Sequence, residues 1–246
     1  MSLVFDQVSF NYRRNTPVFD DFSLCVEAGA TVLLGPNGAG KSTLMSLAAS
    51  HLKPAAGSVA FNGLDAHGRR QAPYRERVAW IPQQITPIPG LTVREQVAYA
   101  GWLKGMPRHL AWTASADALR RVDLIRLADR KSHQVSGGQL RRMGIAGALA
   151  HRSELILMDE PTAGLDPTQR LVFRELLGDL SGQVQIIVST HQTEDLADLY
   201  QHVVVLSQGN IRFQGSPRDF HALAPSSGQG REQAEAAYVL LVGREI

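Results

Sequence analysis

The sequence has a single cysteine, Cys25, in 246 residues, so no internal disulfide can form and a reducing compartment is expected. No stretch approaches the length of apolar sequence that a membrane-spanning helix needs. The opening residues, MSLVFDQVSF, lack a basic region and an apolar signal core, and they alternate like a strand. A cytoplasmic chain is therefore expected. No strong charge of either sign is present: 25 Lys and Arg against 23 Asp and Glu leave +2, which gives no general case for nucleic-acid binding. The histidines, among them His51, His133 and His151, show no metal-ligand spacing and read as surface or packing residues. Cys25 lies in an alternating apolar run, 22–26, and reads as a packing residue. Internal repeats are absent.

What is present is more specific. Residues 35–42 read GPNGAGKS, between the apolar run 31–34 and a helix-like stretch, 42–49. This is a phosphate-binding loop in its strand–loop–helix context. Glycines let the backbone curl so that successive N–H groups point inward at an anion. The following helix adds its positive N-terminal end. Lys41 is placed to reach β- and γ-phosphates, and Ser42 to offer a hydroxyl to Mg²⁺.

Residues 2–34 alternate as strands, interrupted by a polar loop or hairpin over 11–21. A short hairpin is expected around 58–63, and a strand at 78–81 closed by Pro82. Residues 84–150 begin Pro-rich and then read as helices over 93–104, 110–121 and 137–150, with Thr92 and Glu95 forming a capping box. Apolar strands follow at 155–158 and 184–189 around a helix near 168–180, which means a buried parallel sheet. The pattern closes with a hairpin, 203–206 and 211–214, a polar linker over 225–230, and a helix over 231–242. The expected fold is α/β: a mostly parallel core sheet, an N-terminal antiparallel β subdomain and an inserted helical subdomain. Residues 1–222 are expected to form one domain, with its core in 1–83 and 151–222, its helical insert in 84–150, and 223–246 as linker and terminal helix.

Two further segments complete a pattern. Residues 134–142 read QVSGGQLRR, and 155–167 read LILMDEPTAGLDP. With the phosphate loop, in this order, the chain resembles the ATP-binding-cassette (ABC) transporter ATPases over most of its length. The resemblance implies a P-loop ATPase subunit that takes ATP with Mg²⁺. It implies a nucleotide-binding set of Tyr12, stacking on adenine, and Gly35, Pro36, Asn37, Gly38, Ala39, Gly40, Lys41, Ser42 and Thr43. It makes Glu160 the general base and His191 the switch histidine. Gln83 becomes the glutamine that senses Mg²⁺ and the attacking water, with the adjacent Gln84 as the one-residue alternative. Ser42, Gln83 and Asp159 form the metal set. Ser136, Gly137, Gly138 and Gln139 form the signature that binds the nucleotide of a second subunit in trans, and Asp166 lies in the loop crossing that interface. Val135 stands where leucine is commoner in the family, a conservative departure. For Arg141 and Arg142 a solvated basic face and a role stand equally.

The resemblance further implies an antiparallel dimer, expected as a homodimer, that drives a separate transmembrane permease from the cytoplasmic face of the membrane. LTVREQVAYAGWLKG and the terminal AEAAYVLLVG resemble exporter-type ATPases, so export is the expected direction. An importer ATPase and a soluble single-cassette ATPase of an assembly pathway are the alternatives. A non-hydrolysing nucleotide-gated clamp is a further rival, disfavoured by the intact Glu160 and His191. The transported solute contacts the permease and is not written in this chain.

Overall fold

The structure is a computed structural model that describes residues 1–13, 16–69, 71–193, 199–224 and 231–243. Strands β1 (Ser2–Arg13) and β2 (Thr16–Glu27) pair antiparallel, so the polar stretch around 11–21 takes the hairpin form. Strand β3 (Ala30–Leu34) is buried along its whole length, and α1 (Lys41–Ala48) follows the phosphate loop. Next come β4 (Ala56–Phe61), β5 (Leu64–Asp65), a short helix α2 (Ala72–Arg77) and β6 (Val78–Ile81). The helical insert consists of α3 (Val93–Leu103), α4 (Arg108–Arg121) and α5 (Gly137–Ala150). The chain then runs through β7 (Leu155–Asp159), α6 (Pro167–Leu180), β8 (Gln185–Thr190), β9 (His202–Ser207) and β10 (Asn210–Gly215). It ends in α7 (Pro217–His221) and α8 (Arg231–Val242). The expected linker at 225–230 lies outside the described residues.

Two sheets form, in the orders β2-β1-β4-β5 and β10-β9-β3-β8-β7-β6. The first is antiparallel, and the second is parallel except for its β9–β10 edge. Strands β6 and β7 are neighbours although the entire helical insert separates them in sequence. Side chains of the parallel strands alternate between two cores, as strand geometry requires. Val32, Leu34, Ile156, Met158, Ile186 and Val188 pack toward α5 and α6. Leu33, Leu155, Leu157 and Ile187 pack toward α1 and the antiparallel sheet. Both faces are covered, which is why these strands are continuously apolar.

Cys25 departs from expectation. It is exposed, because the two-residue period of β2 turns its neighbours Leu24 and Val26 inward and leaves Cys25 on the outer face. Helix α2 has no sequence counterpart above. Among the described residues no helix is long and apolar enough to cross a membrane.

Candidate functional site

Four adjacent parallel strands end at one edge of the large sheet. Leu34 of β3 is in register with Thr190 of β8, Asp159 of β7 with Ser189, and Ile81 of β6 with Met158. The residues that leave this edge are therefore brought together, as at the carboxyl end of any open parallel sheet. They line a pocket of about 400 Å³ with Tyr12, Val18, Pro36, Asn37, Gly38, Gly40, Lys41, Ser42, Thr43, Gln83, Glu160 and His191 at its walls. Gln84 is not among them. Gly35 and Ala39 belong to the same loop but face the protein: a Cβ on Gly35 would lie 2.2 Å from the Leu206 carbonyl, and Ala39 is buried.

The loop's curl rests on Gly38 and Gly40, at φ +83° and +105°, where other residues are strained. Gly40 is also the N-cap of α1 and brings no side chain to the helix's free N–H groups. Those donors remain available to an anion. Lys41 is almost fully buried; its Nζ donates to the carbonyls of Gly35 (2.7 Å) and Pro36 (3.1 Å) and lies 3.8 Å from Glu160 Oε1. Burial lowers its pKa, opposed by the charges of Glu160 and Asp159.

Glu160 sits at φ +46°, an unusual backbone for a non-glycine residue. Its N–H is held by Ser189, by the carbonyl at 3.0 Å and by Oγ at 3.1 Å. The fully buried Ser189 hydroxyl in turn donates to Asp159 Oδ1, so one serine fixes both acidic residues. The sequence reading missed Ser189; its only signal is a hydroxyl at a strand end, opposite Asp159 in the parallel register. His191 Nδ1 lies 3.0 Å from each Glu160 carboxylate oxygen. The carboxylate accepts, so Nδ1 carries the proton and the opposite edge of the ring is turned away from Glu160.

Tyr12 is 64% exposed at the pocket mouth, which leaves a ring face open. Its hydroxyl is 3.2 Å from Thr43 Oγ1, and its ring meets Phe10 edge-on. Of the expected Mg²⁺ donors, all hard oxygens, Ser42 and Gln83 line the pocket, whereas Asp159 is buried, is not part of the lining, and accepts the Ser189 hydroxyl at Oδ1. Among the described residues no group of three or more His, Cys, Asp or Glu could form a metal cage. Partial ligation completed by substrate phosphates is the habit of Mg²⁺, so the donor set fits that ion.

The structure does not bring Ser136, Gly137, Gly138, Gln139 or Asp166 into this pocket. Ser136 caps α5: its Oγ accepts from the Gln139 N–H while the Gln139 side chain accepts from the Ser136 N–H. Asp166 caps α6 by accepting from the Gln169 N–H at 2.9 Å. Gly137 has open space where a Cβ would be, so another molecule can approach its backbone closely.

Two grooves flank α3. One, of about 330 Å³, lies between the insert and the core and includes Trp80, Ile85, Gln96, Lys104, His51 and His151. Lys104 there donates to the carbonyls of Arg75 and Val78, and burial lowers its pKa to about 8. The other, of about 650 Å³, is walled by α3 and α4 through Tyr99, Trp102, Arg108 and Trp112. These aromatics are 38–44% exposed, an apolar surface of the kind that marks a partner.

The family model described as "ABC transporter" matches residues 19–163. A cobalt import ATP-binding protein, CbiO, of Rhodobacter capsulatus is 34% identical over 219 residues, covering 87% of this chain and 78% of the relative. Among solved structures, cbiO1 of Clostridium perfringens, part of the ABC transporter complex cbiONQ, superposes with a TM-score of 0.78. It is 28% identical and the match covers 89% of this chain and 90% of that one. A bacterial ABC transporter cassette solved as a dimer superposes at 0.77 with 25% identity, covering 87% of this chain and 98% of its own.

Proposed function

This chain belongs to the ABC transporter family as an ATP-binding ATPase subunit, and from that premise we propose that it powers an importer as a dimer beneath a separate membrane permease. The observation that carries the catalytic part is the convergence of Lys41, the loop N–H groups, Gln83, Glu160 and His191 on one pocket. The loop and Lys41 hold the phosphates of ATP, and Tyr12 offers its open face to the base. Mg²⁺, when bound through Ser42 and Asp159, neutralises phosphate charge. Glu160 takes the proton of the attacking water. His191 and the Ser189 bonds keep the Glu160 carboxylate in one orientation. Each chain lends its Ser136–Gln139 surface to the other chain's nucleotide, so two copies make two complete sites.

For direction, the importer alternative is favoured over the export expected from the sequence. The support is the relative named for cobalt import and the structural neighbour from a cbiONQ complex. The two grooves beside α3 support a permease contact on the helical insert, next to the Gln83 loop. With no membrane-crossing helix among the described residues, that contact would hold the chain at the cytoplasmic face.

The test is phosphate release by the purified chain, alone and with its co-encoded permease in proteoliposomes. Release that Lys41→Ala abolishes is expected, and its absence overturns the ATPase role. For the permease's solute, cells carrying Lys41→Ala should accumulate less than wild type; accumulating more would restore export.

A further inference from the structure

The start of α5 touches both the turn after Glu160 and the start of α6 within one chain. Ala163 N–H donates to the Glu160 carbonyl at 3.2 Å, so the turn is anchored on the residue proposed as base. Arg141, one turn into α5 from Ser136, donates from Nη2 to the Ala163 carbonyl at 3.2 Å. Gly138 lies against Gln169: a Cβ there would fall 2.1 Å from Gln169 Oε1, and Gln169 is itself held by Asp166. Arg141 is not a solvated basic residue. Its second terminal nitrogen, Nη1, is buried without a partner, and among the described residues no carboxylate pairs with it. A half-buried guanidinium whose recorded hydrogen bond goes to one backbone carbonyl is an expensive way to decorate a helix.

We infer that Arg141 is a positioning residue that ties the helix carrying Ser136 to the turn carrying Glu160, so that the two ATP sites of a dimer respond together. The inference rests on the two-site dimer proposed above. Each chain places its Glu160 at its own nucleotide and its Ser136 at the other chain's. A shift of the turn at one site then moves the α5 start, and with it the signature at the opposite site. Two discrete arrangements biased by both nucleotides are what coupling requires.

The experiment is ATPase rate against ATP concentration for wild type, Arg141→Ala, Arg141→Lys and Gln169→Ala, with ATP affinity of the isolated chain and thermal midpoint recorded for each. Wild type should be sigmoidal, with a Hill coefficient approaching about 2, the number of sites. Arg141→Ala should bring it to about 1 while chain affinity for ATP stays within about threefold. Arg141→Lys, which can still donate to the Ala163 carbonyl, should keep most of the cooperativity. Should Arg141→Ala fail to fold, Gln169→Ala, which removes the Gly138 contact outside the core, should lower the coefficient in the same direction. A wild-type Hill coefficient retained by a folded Arg141→Ala, or by Gln169→Ala where Arg141→Ala does not fold, overturns the inference, as does an active wild type without cooperativity. A wild type that releases no phosphate overturns the proposed function instead.

Discussion

Replacing Glu160 by glutamine separates the chemistry of the site from its architecture. The unusual backbone at φ +46° is held by the residue's own N–H, through Ser189, and the substitution leaves that intact. The amide oxygen can still accept from His191 Nδ1 at the observed 3.0 Å. Lys41 loses one carboxylate at 3.8 Å, but keeps the Gly35 and Pro36 carbonyls and the field of Asp159. The net cost in stability should be on the order of 1 kcal/mol, the scale of one exchanged polar contact. The cost in rate is larger. Losing a general base slows turnover by roughly 10²–10⁴-fold, which at 1.36 kcal/mol per decade is about 3–5 kcal/mol of barrier. ATP should bind with affinity within a few-fold of wild type, and the variant should accumulate as an ATP-bound dimer in size-exclusion chromatography. Phosphate release within about threefold of wild type would refute the assignment, because among the described residues Glu160 is the one carboxylate lining the pocket and the one paired with His191 and Lys41.

Ser136→Arg should block hydrolysis and dimer closure while each chain alone still binds nucleotide through Lys41; loss of binding by the isolated chain, in calorimetry, would place Ser136 in cis. Gln83→Ala should keep nucleotide affinity within a few-fold but lower the stimulation of ATPase by the reconstituted permease, and full stimulation would move the coupling role to Gln84. His151 titrates at about 4 rather than 6.5, first through burial and then through the Lys104 charge, with its hydrogen bond to the Glu76 carbonyl opposing. Between those values the unfolded chain binds the extra proton, so stability is complete above about pH 6.5 and falls as acid is added toward pH 4, by up to about 3 kcal/mol. Denaturant midpoints across that range should show the loss, and His151→Gln should flatten it; an unchanged slope would show that His151 is not the group responsible.

How far the sequence could be read depended on how local each requirement was. The phosphate loop was legible because its glycines answer backbone demands made within eight residues. The capping box at Thr92 closes over four residues and forms as read, and Ser136 with Gln139 forms a second one. The fully buried β3, β7 and β8 announced themselves through their apolar centres. Ser189 was not legible, because its role exists only once β7 and β8 lie in register and bring it beside Asp159. Arg141 was left undecided for the same reason: its acceptor is 22 residues away on another element. Helix α2 shows one large apolar residue, Tyr74, whose burial and bond to the Ala48 carbonyl come from tertiary packing. Transport direction is hard to read for a different reason. Import and export both hydrolyse ATP, so the residues that perform the hydrolysis carry no record of it.

The Gln83 loop shows how the pocket can reach the grooves. Two bonds from the Gln96 side chain grip this loop: Oε1 accepts from the Ile88 N–H at 3.0 Å and Nε2 donates to the Thr86 carbonyl at 3.3 Å. Gln96 belongs to α3, the helix that walls both grooves. Ile85 of the same loop packs onto α5 so closely that a Cβ on Gly144 would lie 2.6 Å from its Cδ1. A displacement of Gln83 by a γ-phosphate therefore meets α3 through hydrogen bonds and α5 through packed contact, with no slack of a methyl group's size at Gly144. Packed contacts of this kind move as units. The helix that would meet the permease and the helix that carries Ser136 are thus both within one loop of the nucleotide. The γ-phosphate, which distinguishes ATP from ADP at Gln83, thus has a direct physical route to the partner surface.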